Sequence, residues 1–256
     1  MSRPGRTAAL AFAAALGASA LTFSPAFAFT DAEKAEIGTV VREYLLKNPE
    51  VLQEVITELE KKQAVQEAAG RVGALSEMKG LIYDSPRGVV AGNPKGDVTL
   101  VEFFDYNCGY CKHALEDVNK LIKADPNLKV IFKEFPVLGK PSVEAAQVAV
   151  AVRMVAPEKY VAFHNALLAT RGTADRAKAL QAAKDVGIDP AALQKVASSP
   201  ELNATLDESM KIAQALSLNG TPSFIVGDEV VIGAVGYDKL KAAIDDQRKA
   251  AKPKSN

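Results

Sequence analysis

The sequence predicts an α/β fold that is interrupted by a block of helices and preceded by a separate helical segment. Three observations carry this reading. The only two cysteines, Cys108 and Cys111, stand between an apolar run and helix-compatible sequence. From Pro141 to Leu218 there is no strand signal, after which Phe224-Ile225-Val226 and Glu229-Val230-Val231-Ile232 flank Gly227-Asp228 as a β-hairpin would. Residues 30–80, finally, are rich in Ala, Glu, Lys and Gln and precede any candidate strand.

Residues 1–28 read as a cleavable export signal outside the fold. Arg3 and Arg6 form a basic region, Ala8 to Leu21 an apolar one, and Ala26-Phe27-Ala28 a small-x-small cleavage site. The apolar stretch is short and interrupted by Gly17 and Ser19, with Pro25 close behind, which argues against a membrane anchor. No later segment is long and apolar enough to span a bilayer. The expected product is an exported periplasmic protein in an oxidising compartment. The whole chain carries 31 basic and 31 acidic residues, and the leader removes two arginines and no acid. Without a basic stripe, a nucleic acid is not an expected partner.

Residues 29–60 are expected to form a helical oligomerisation segment. A first helix is predicted over Asp31 to Lys47, with Ile37, Val40, Val41, Tyr44 and Leu45 on one face. Asn48-Pro49-Glu50 reads as N-cap, first-turn proline and first-turn acid of a second helix. That helix carries Val51, Leu52, Val55, Ile56 and Leu59. Two such short helices cannot bury both stripes alone, so self-association or docking on the rest of the chain is required. Self-association is the preferred reading. Residues 61–80 keep a heptad-like beat at Val65, Ala68, Val72 and Leu75, but Gly70, Gly73 and Gly80 dilute helix propensity. A bendable helical linker is expected there.

Residues 81–256 read as the catalytic domain. Leu81-Ile82-Tyr83 and Val89-Val90-Ala91 are candidate short strands around Asp84-Ser85-Pro86, and Asp97 to Asp105 is the strand leading to Cys108. Leu128 to Phe135 is the next strand, and the intervening helix makes a parallel βαβ unit. The helical insertion is placed at about 140–218. Within it Ser142 is a candidate cap for a helix to Val155, Pro157 starts one to Ala169, and Ala174 to Val186 forms a third. Asp189-Pro190 and Ser199-Pro200 are two further cap-plus-proline starts. Tyr237 to about Lys249 forms the last helix. His164 stands on an apolar stripe with Tyr160, Phe163, Leu167 and Leu168, where a structural role outweighs a catalytic one.

A Cys-x-x-Cys at a helix start places the first sulfur near orphan N–H groups and the positive end of the helix dipole, which favours the thiolate. Cys108 is therefore the expected nucleophile. Cys111, a turn further in, can attack a mixed disulfide formed at Cys108. A structural disulfide is disfavoured, because so short a loop constrains little of the unfolded chain. Zinc needs about four ligands, and only His113 and His164 are available to join the thiols. Cu(I) held by Cys108 and Cys111 stays open beside the redox role. Glu102, six residues before Cys108, is either a solvent-facing edge residue or a buried acid able to exchange a proton with Cys111.

The stretch Val101-Glu102-Phe103-Phe104-Asp105-Tyr106-Asn107-Cys108-Gly109-Tyr110-Cys111 is similar to the active-site segment of the DsbA family, and Gly220-Thr221-Pro222-Ser223-Phe224 resembles its cis-proline loop. The resemblance covers roughly residues 81–250. It implies a thioredoxin fold with an inserted α-helical domain, and a redox-active Cys108–Cys111 disulfide without another cofactor. It further implies a buried Glu102, and a substrate site of Gly109, Tyr110, Thr221 and Pro222 in which the Thr221 backbone pairs with an extended chain. One departure stands out: DsbA-type oxidases carry Pro-His between the cysteines, where this chain has Gly109-Tyr110. A less strongly oxidising disulfide is expected.

With its helical appendage the chain resembles the ScsC (suppressor of copper sensitivity C) group, which includes trimeric disulfide isomerases. The resemblance implies a homotrimer acting on misfolded exported proteins and kept reduced by a membrane thiol reductase of the DsbD or ScsB type. The alternatives are a monomeric dithiol oxidase and a periplasmic copper-binding protein.

Overall fold

A computed structural model describes residues 29–251; the expected export signal lies outside the described residues. The described chain divides into two compact units, with the boundary between Leu59 and Glu60.

The first unit is helical. Helix α1 (Asp31–Lys47) opens with a capping box: the Glu33 N–H donates to the Thr30 hydroxyl, and the Glu33 carboxylate accepts from the Thr30 N–H at 2.7 Å. Asn48 ends α1 rather than capping the next helix. Both its backbone N–H and its side-chain amide donate to the Tyr44 carbonyl. Helix α2 (Glu50–Tyr83) follows as one element, in place of a second helix and a separate linker.

Leu81-Ile82-Tyr83 is the last turn of α2 and not a strand. The reason is packing. Leu75 and Ile82 lie two turns apart and are buried, with Met78 and Leu81 partly buried beside them. That spacing is a helical stripe, and it covers one face of the sheet. Arg71 adds a hydrogen bond from Nε to the Leu216 carbonyl at 2.9 Å, and the Tyr83 hydroxyl donates to the Gly227 carbonyl at 2.8 Å. The part of α2 expected to be a bendable helical linker is helical and is docked from Arg71 onward, despite its glycines.

The second unit is built on a five-stranded sheet in the order β1-β3-β2-β4-β5. Its strands are β1 (Val89–Gly92), β2 (Val98–Phe104), β3 (Leu128–Glu134), β4 (Ser223–Val226) and β5 (Glu229–Ile232). β2 and β3 are parallel, joined by helix α3 (Gly109–Ala124), and the other pairings are antiparallel. Between β3 and β4 come α4 (Lys140–Val155), a 3-10 turn (Pro157–Lys159), α5 (Tyr160–Leu168), α6 (Arg176–Asp185), α7 (Pro190–Val196) and α8 (Pro200–Ala215). Asp175, Asp189 and Ser199 cap three of these helices through their side chains. Ser142 does not cap α4, whose N-cap is Gly139 at φ 95°; its hydroxyl is turned to Asp105 instead. Helix α9 (Tyr237–Ala250) closes the chain.

Alternation along the strands divides the core in two. Leu100, Phe104, Val130, Phe132, Phe224 and Val226 face α3, α5 and the helical insertion. Val101, Phe103, Ile131, Phe135 and Ile225 face α2 and α8. Beneath the second face, Lys133 is fully buried. It donates to Glu208 at 2.9 Å and to the Leu81 carbonyl at 2.7 Å, so one cation ties β3, α8 and the end of α2 together.

Candidate active site

Cys108 is the N-cap residue of α3, and its carbonyl accepts the Lys112 N–H. The turn before it is held from three sides. Its N–H donates to the Asp105 carbonyl at 3.0 Å. The Asp105 carboxylate is buried and saturated: Oδ1 accepts from the Asn107 N–H at 2.8 Å and the Ser142 hydroxyl at 2.7 Å, while Oδ2 accepts from the Val137 and Leu138 N–H groups at 2.9 Å each. The Asn107 side chain pairs with both backbone groups of Ala174, at 2.7 and 2.9 Å. A charged acceptor with four donors is among the stronger polar anchors available to a buried turn. Sequence reasoning gave Asp105 and Asn107 no role, because their side-chain partners lie tens of residues away.

Both cysteines are free thiols. Cys108 keeps 7% of its surface exposed and Cys111 none, so a substrate sulfur can reach only the first. Burial pushes the Cys111 thiol far above the usual range. The neighbouring Glu102 and Cys108 push the same way, and hydrogen bonds from the Asp105 backbone and the Thr221 side chain oppose them. Cys111 is therefore a thiol that needs a base before it can attack.

Glu102 lies close enough for its charge to act on Cys111. It is 2% exposed, in the middle of β2, and its Oε1 is enclosed without a hydrogen-bond partner. Burial pushes its carboxyl from 4.5 up to about 8. The edge-strand alternative is excluded, since β2 is paired on both sides.

The other sequence-predicted residues lie around Cys108. Thr221–Pro222 is a cis peptide bond, and the Cys108 Sγ–H donates to the Thr221 carbonyl at 3.1 Å. The loop is stitched in place by the Ser223 hydroxyl to Gly220 O at 2.7 Å and by the Gly233 N–H to Pro222 O at 2.8 Å. Gly109 is exposed, and Tyr110 is 66% exposed beside His113. The structure thus brings Cys108, Cys111, Glu102 and Thr221 to one end of the sheet, with Gly109, Tyr110 and Pro222 around them.

His164 packs among Phe104, Tyr106, Phe132 and Tyr160, and burial pushes it down to about 3, so it is neutral. Among the described residues no group of three or more His, Cys, Asp and Glu side chains is arranged to hold a metal ion. Around Tyr160 and His164 lies a second cluster, whose Glu134 and Tyr106 escaped sequence reasoning. Glu134, at the end of β3, is buried and accepts a hydrogen bond from the Tyr160 hydroxyl, and the Tyr106 hydroxyl lies 3.4 Å from His164 Nδ1.

Comparison with known proteins agrees with this geometry. Residues 99–245 match the DSBA-like thioredoxin domain, and residues 33–66 match the copper resistance protein ScsC N-terminal domain. A thioredoxin-like oxidoreductase from Silicibacter pomeroyi DSS-3 is 45% identical, with a TM-score of 0.64, over 67% of this chain and 98% of that one. Proteus mirabilis ScsC in a transitional conformation is 29% identical, with a TM-score of 0.65, over 88% of this chain and 99% of its own. Among curated proteins, the disulfide bond formation protein D of Bacillus subtilis is 25% identical over 62% of this chain and 77% of its own length. The Na(+)/H(+) antiporter NhaA 1 of Salinispora arenicola is 26% identical over 63% of this chain, which spans only 25% of that protein. With two thiols, a buried acid and a cis-proline loop at one end of a thioredoxin sheet, the chain belongs to the DSBA-like thioredoxin domain family and is a thiol–disulfide oxidoreductase.

Proposed function

We propose that this oxidoreductase is a periplasmic disulfide isomerase that works as a homotrimer on misfolded exported proteins. The observation that carries the reading is the apolar stripe of the first unit. Ile37, Val40, Val41 and Tyr44 on α1, and Leu52, Val55, Ile56 and Leu59 on α2, are all exposed. A stripe of this size requires a partner in water, and other copies of the same chain provide one. The match of residues 33–66 to the ScsC N-terminal domain supports the same assembly. A periplasmic location is supported by the basic, apolar and small-x-small pattern of residues 1–28. It is also supported by the likeness to a periplasmic thioredoxin-like protein from Salmonella enterica.

The chemistry conserves electrons. The Cys108 thiolate attacks a wrong disulfide of the substrate, forming a Cys108–substrate bond and releasing a substrate thiolate. A different thiolate on the same chain attacks the substrate sulfur of the mixed disulfide, so a new substrate disulfide forms and the Cys108 thiolate returns. When no substrate thiol arrives, Glu102 takes the Cys111 proton and Cys111 attacks Cys108 Sγ. The enzyme leaves as the Cys108–Cys111 disulfide and the substrate as a dithiol. A membrane thiol reductase of the DsbD or ScsB type then restores the dithiol. Thr221 and Pro222 hold the extended substrate chain, with Gly109 and Tyr110 lining its approach. No further cofactor is needed.

A scrambled multi-disulfide protein is the test substrate. Full-length protein should restore its activity, and a chain lacking residues 29–60 should be monomeric, still reduce simple disulfides, and lose most of the rescue. Equal rescue by the truncated monomer contradicts the proposal. A second reading, Cu(I) capture by Cys108 and Cys111, is favoured by the copper-resistance family of residues 33–66. It requires about one equivalent of Cu(I) per chain, lost on Cys108→Ser.

A further inference from the structure

Beyond residue 83, the large apolar side chains that stand exposed among the described residues are Val90, Tyr110, Val137, Leu138, Met154 and Ile232. Tyr110, Val137, Leu138 and Ile232 share one end of the sheet. β2 and β3 are parallel and β4 is antiparallel to β2, so the segments after β2, after β3 and before β4 all emerge at that end. The first carries Cys108 and Tyr110, the second Val137 and Leu138, and the third Thr221 and Pro222. Ile232, at the end of β5, pairs with Ser223 just beyond the third. β3 and β4 lie on either side of β2, so residues 135–139 and the Thr221 loop flank the active-site turn from opposite sides.

Val137 and Leu138 are exposed, yet their backbone is held. The Phe135 N–H donates to the Phe104 carbonyl at 2.8 Å, which carries the β2–β3 pairing one residue past the strand, and Pro136 restricts the next φ. The N–H groups of Val137 and Leu138 then both donate to Asp105 Oδ2 at 2.9 Å. The other oxygen of that carboxylate accepts the Asn107 N–H at 2.8 Å, and the Asp105 carbonyl accepts the Cys108 N–H at 3.0 Å. One buried residue thus fixes the segment and the turn of the reactive sulfur against each other. The side chains remain open to water, 41% exposed at Val137 and 52% at Leu138. Single apolar residues scattered over a surface need no explanation, but an adjacent pair pinned beside a reacting sulfur forms a contact surface. Its occupant is the substrate chain, because the surface is continuous with the site where that chain bonds to Cys108. A chain that lies along Thr221 on one side of its cysteine passes residues 137–138 on the other. Misfolded chains offer apolar residues there, whereas folded ones bury them.

We propose that Val137 and Leu138 are specificity-determining residues: they form an apolar rim that receives aliphatic and aromatic side chains flanking the substrate cysteine, so that Cys108 reacts faster with apolar, unfolded segments than with polar ones. This deepens the reading of misfolded chains as substrates and rests on it. Asp105 supports the rim from beneath by holding both backbones.

Two peptides test it, alike except that the residues flanking their single cysteine are Leu in one and Ser in the other, each supplied as its mixed disulfide with thionitrobenzoate. When Cys108 attacks the peptide sulfur, a Cys108–peptide disulfide forms and coloured thionitrobenzoate leaves, so stopped-flow absorbance reads that first step. Each rate is divided by that of the same peptide with dithiothreitol, which removes any difference in intrinsic reactivity. Reduced full-length protein should then favour the Leu peptide about tenfold, the order expected when an aliphatic side chain is largely withdrawn from water. Val137→Ser and Leu138→Ser should each lower the ratio and together bring it close to one, while Leu138→Met should keep it. The ratio is independent of the fraction of folded protein, so a loss of stability does not imitate the result. Met154→Ser, which removes an exposed apolar side chain about 20 Å along α4 from the rim, should leave the ratio as it is. A ratio near one in the native protein, or one that survives in the double variant, overturns the rim. Equal rescue of scrambled substrate by the chain lacking residues 29–60, with the peptide ratio intact, counts against the assembly alone and still supports the rim.

Discussion

Glu102 keeps its proton well above the ordinary carboxyl range because nothing around it stabilises the anion, and this makes the fold itself sensitive to pH. The direction follows from linkage. A carboxyl raised on folding from 4.5 to about 8 contributes stability that is fully present below pH 4.5 and is lost as pH rises through 8. Between pH 4 and 7 the native protein should thus lose roughly 3 kcal/mol that Glu102→Gln does not lose. Urea melts of both proteins across that range check this, and parallel curves would mean that Glu102 is solvated. The sequence made the thiols and this acid visible because Cys-x-x-Cys and a charge inside an apolar strand are local signals. Asp105 and Glu134 gave no such signal. Asp105 is explained by N–H groups at 137 and 138 and a hydroxyl at 142, and Glu134 by a tyrosine hydroxyl 26 residues on.

Helix α2 shows where local reading met its limit. Leu81-Ile82-Tyr83 is a short apolar run, and periodicity alone cannot separate a strand from a buried helical turn at that length. The deciding contacts lie elsewhere in sequence: Leu216 for Arg71, Gly227 for Tyr83, and Lys133 for the Leu81 carbonyl. The parallel β2–α3–β3 unit, the Gly227-Asp228 hairpin and the proline-started helices were legible because each has a turn or cap signal of its own. The glycines of α2 weaken it without an evident return. A methyl group added at Gly73 or Gly80 would meet no atom within 4 Å, and both positions are exposed. Gly73→Ala and Gly80→Ala should each stabilise the protein by about 0.5–1 kcal/mol. Thermal melts check this, and a loss of stability at either site would show that α2 bends there in the native state.

For the whole molecule, the question is why an oxidoreductase whose candidate site lies beyond residue 100 should carry a helical segment with an exposed apolar stripe. A simple oxidase needs one encounter per disulfide. An isomerase must keep hold of a misfolded chain while bonds are exchanged, and several sites on one assembly raise the effective concentration of the second thiol. Cooperation between copies is therefore the central claim, and mixed assemblies test it most directly. Active chains are unfolded and reassembled with chains in which both Cys108 and Cys111 are Ser, and rescue of scrambled substrate is measured against the fraction of active chains. Activity per total chain should fall well below one half when half the chains are inactive, while reduction of a small disulfide falls in strict proportion. Rescue that also falls in strict proportion would contradict the account, because each active site would then be working alone.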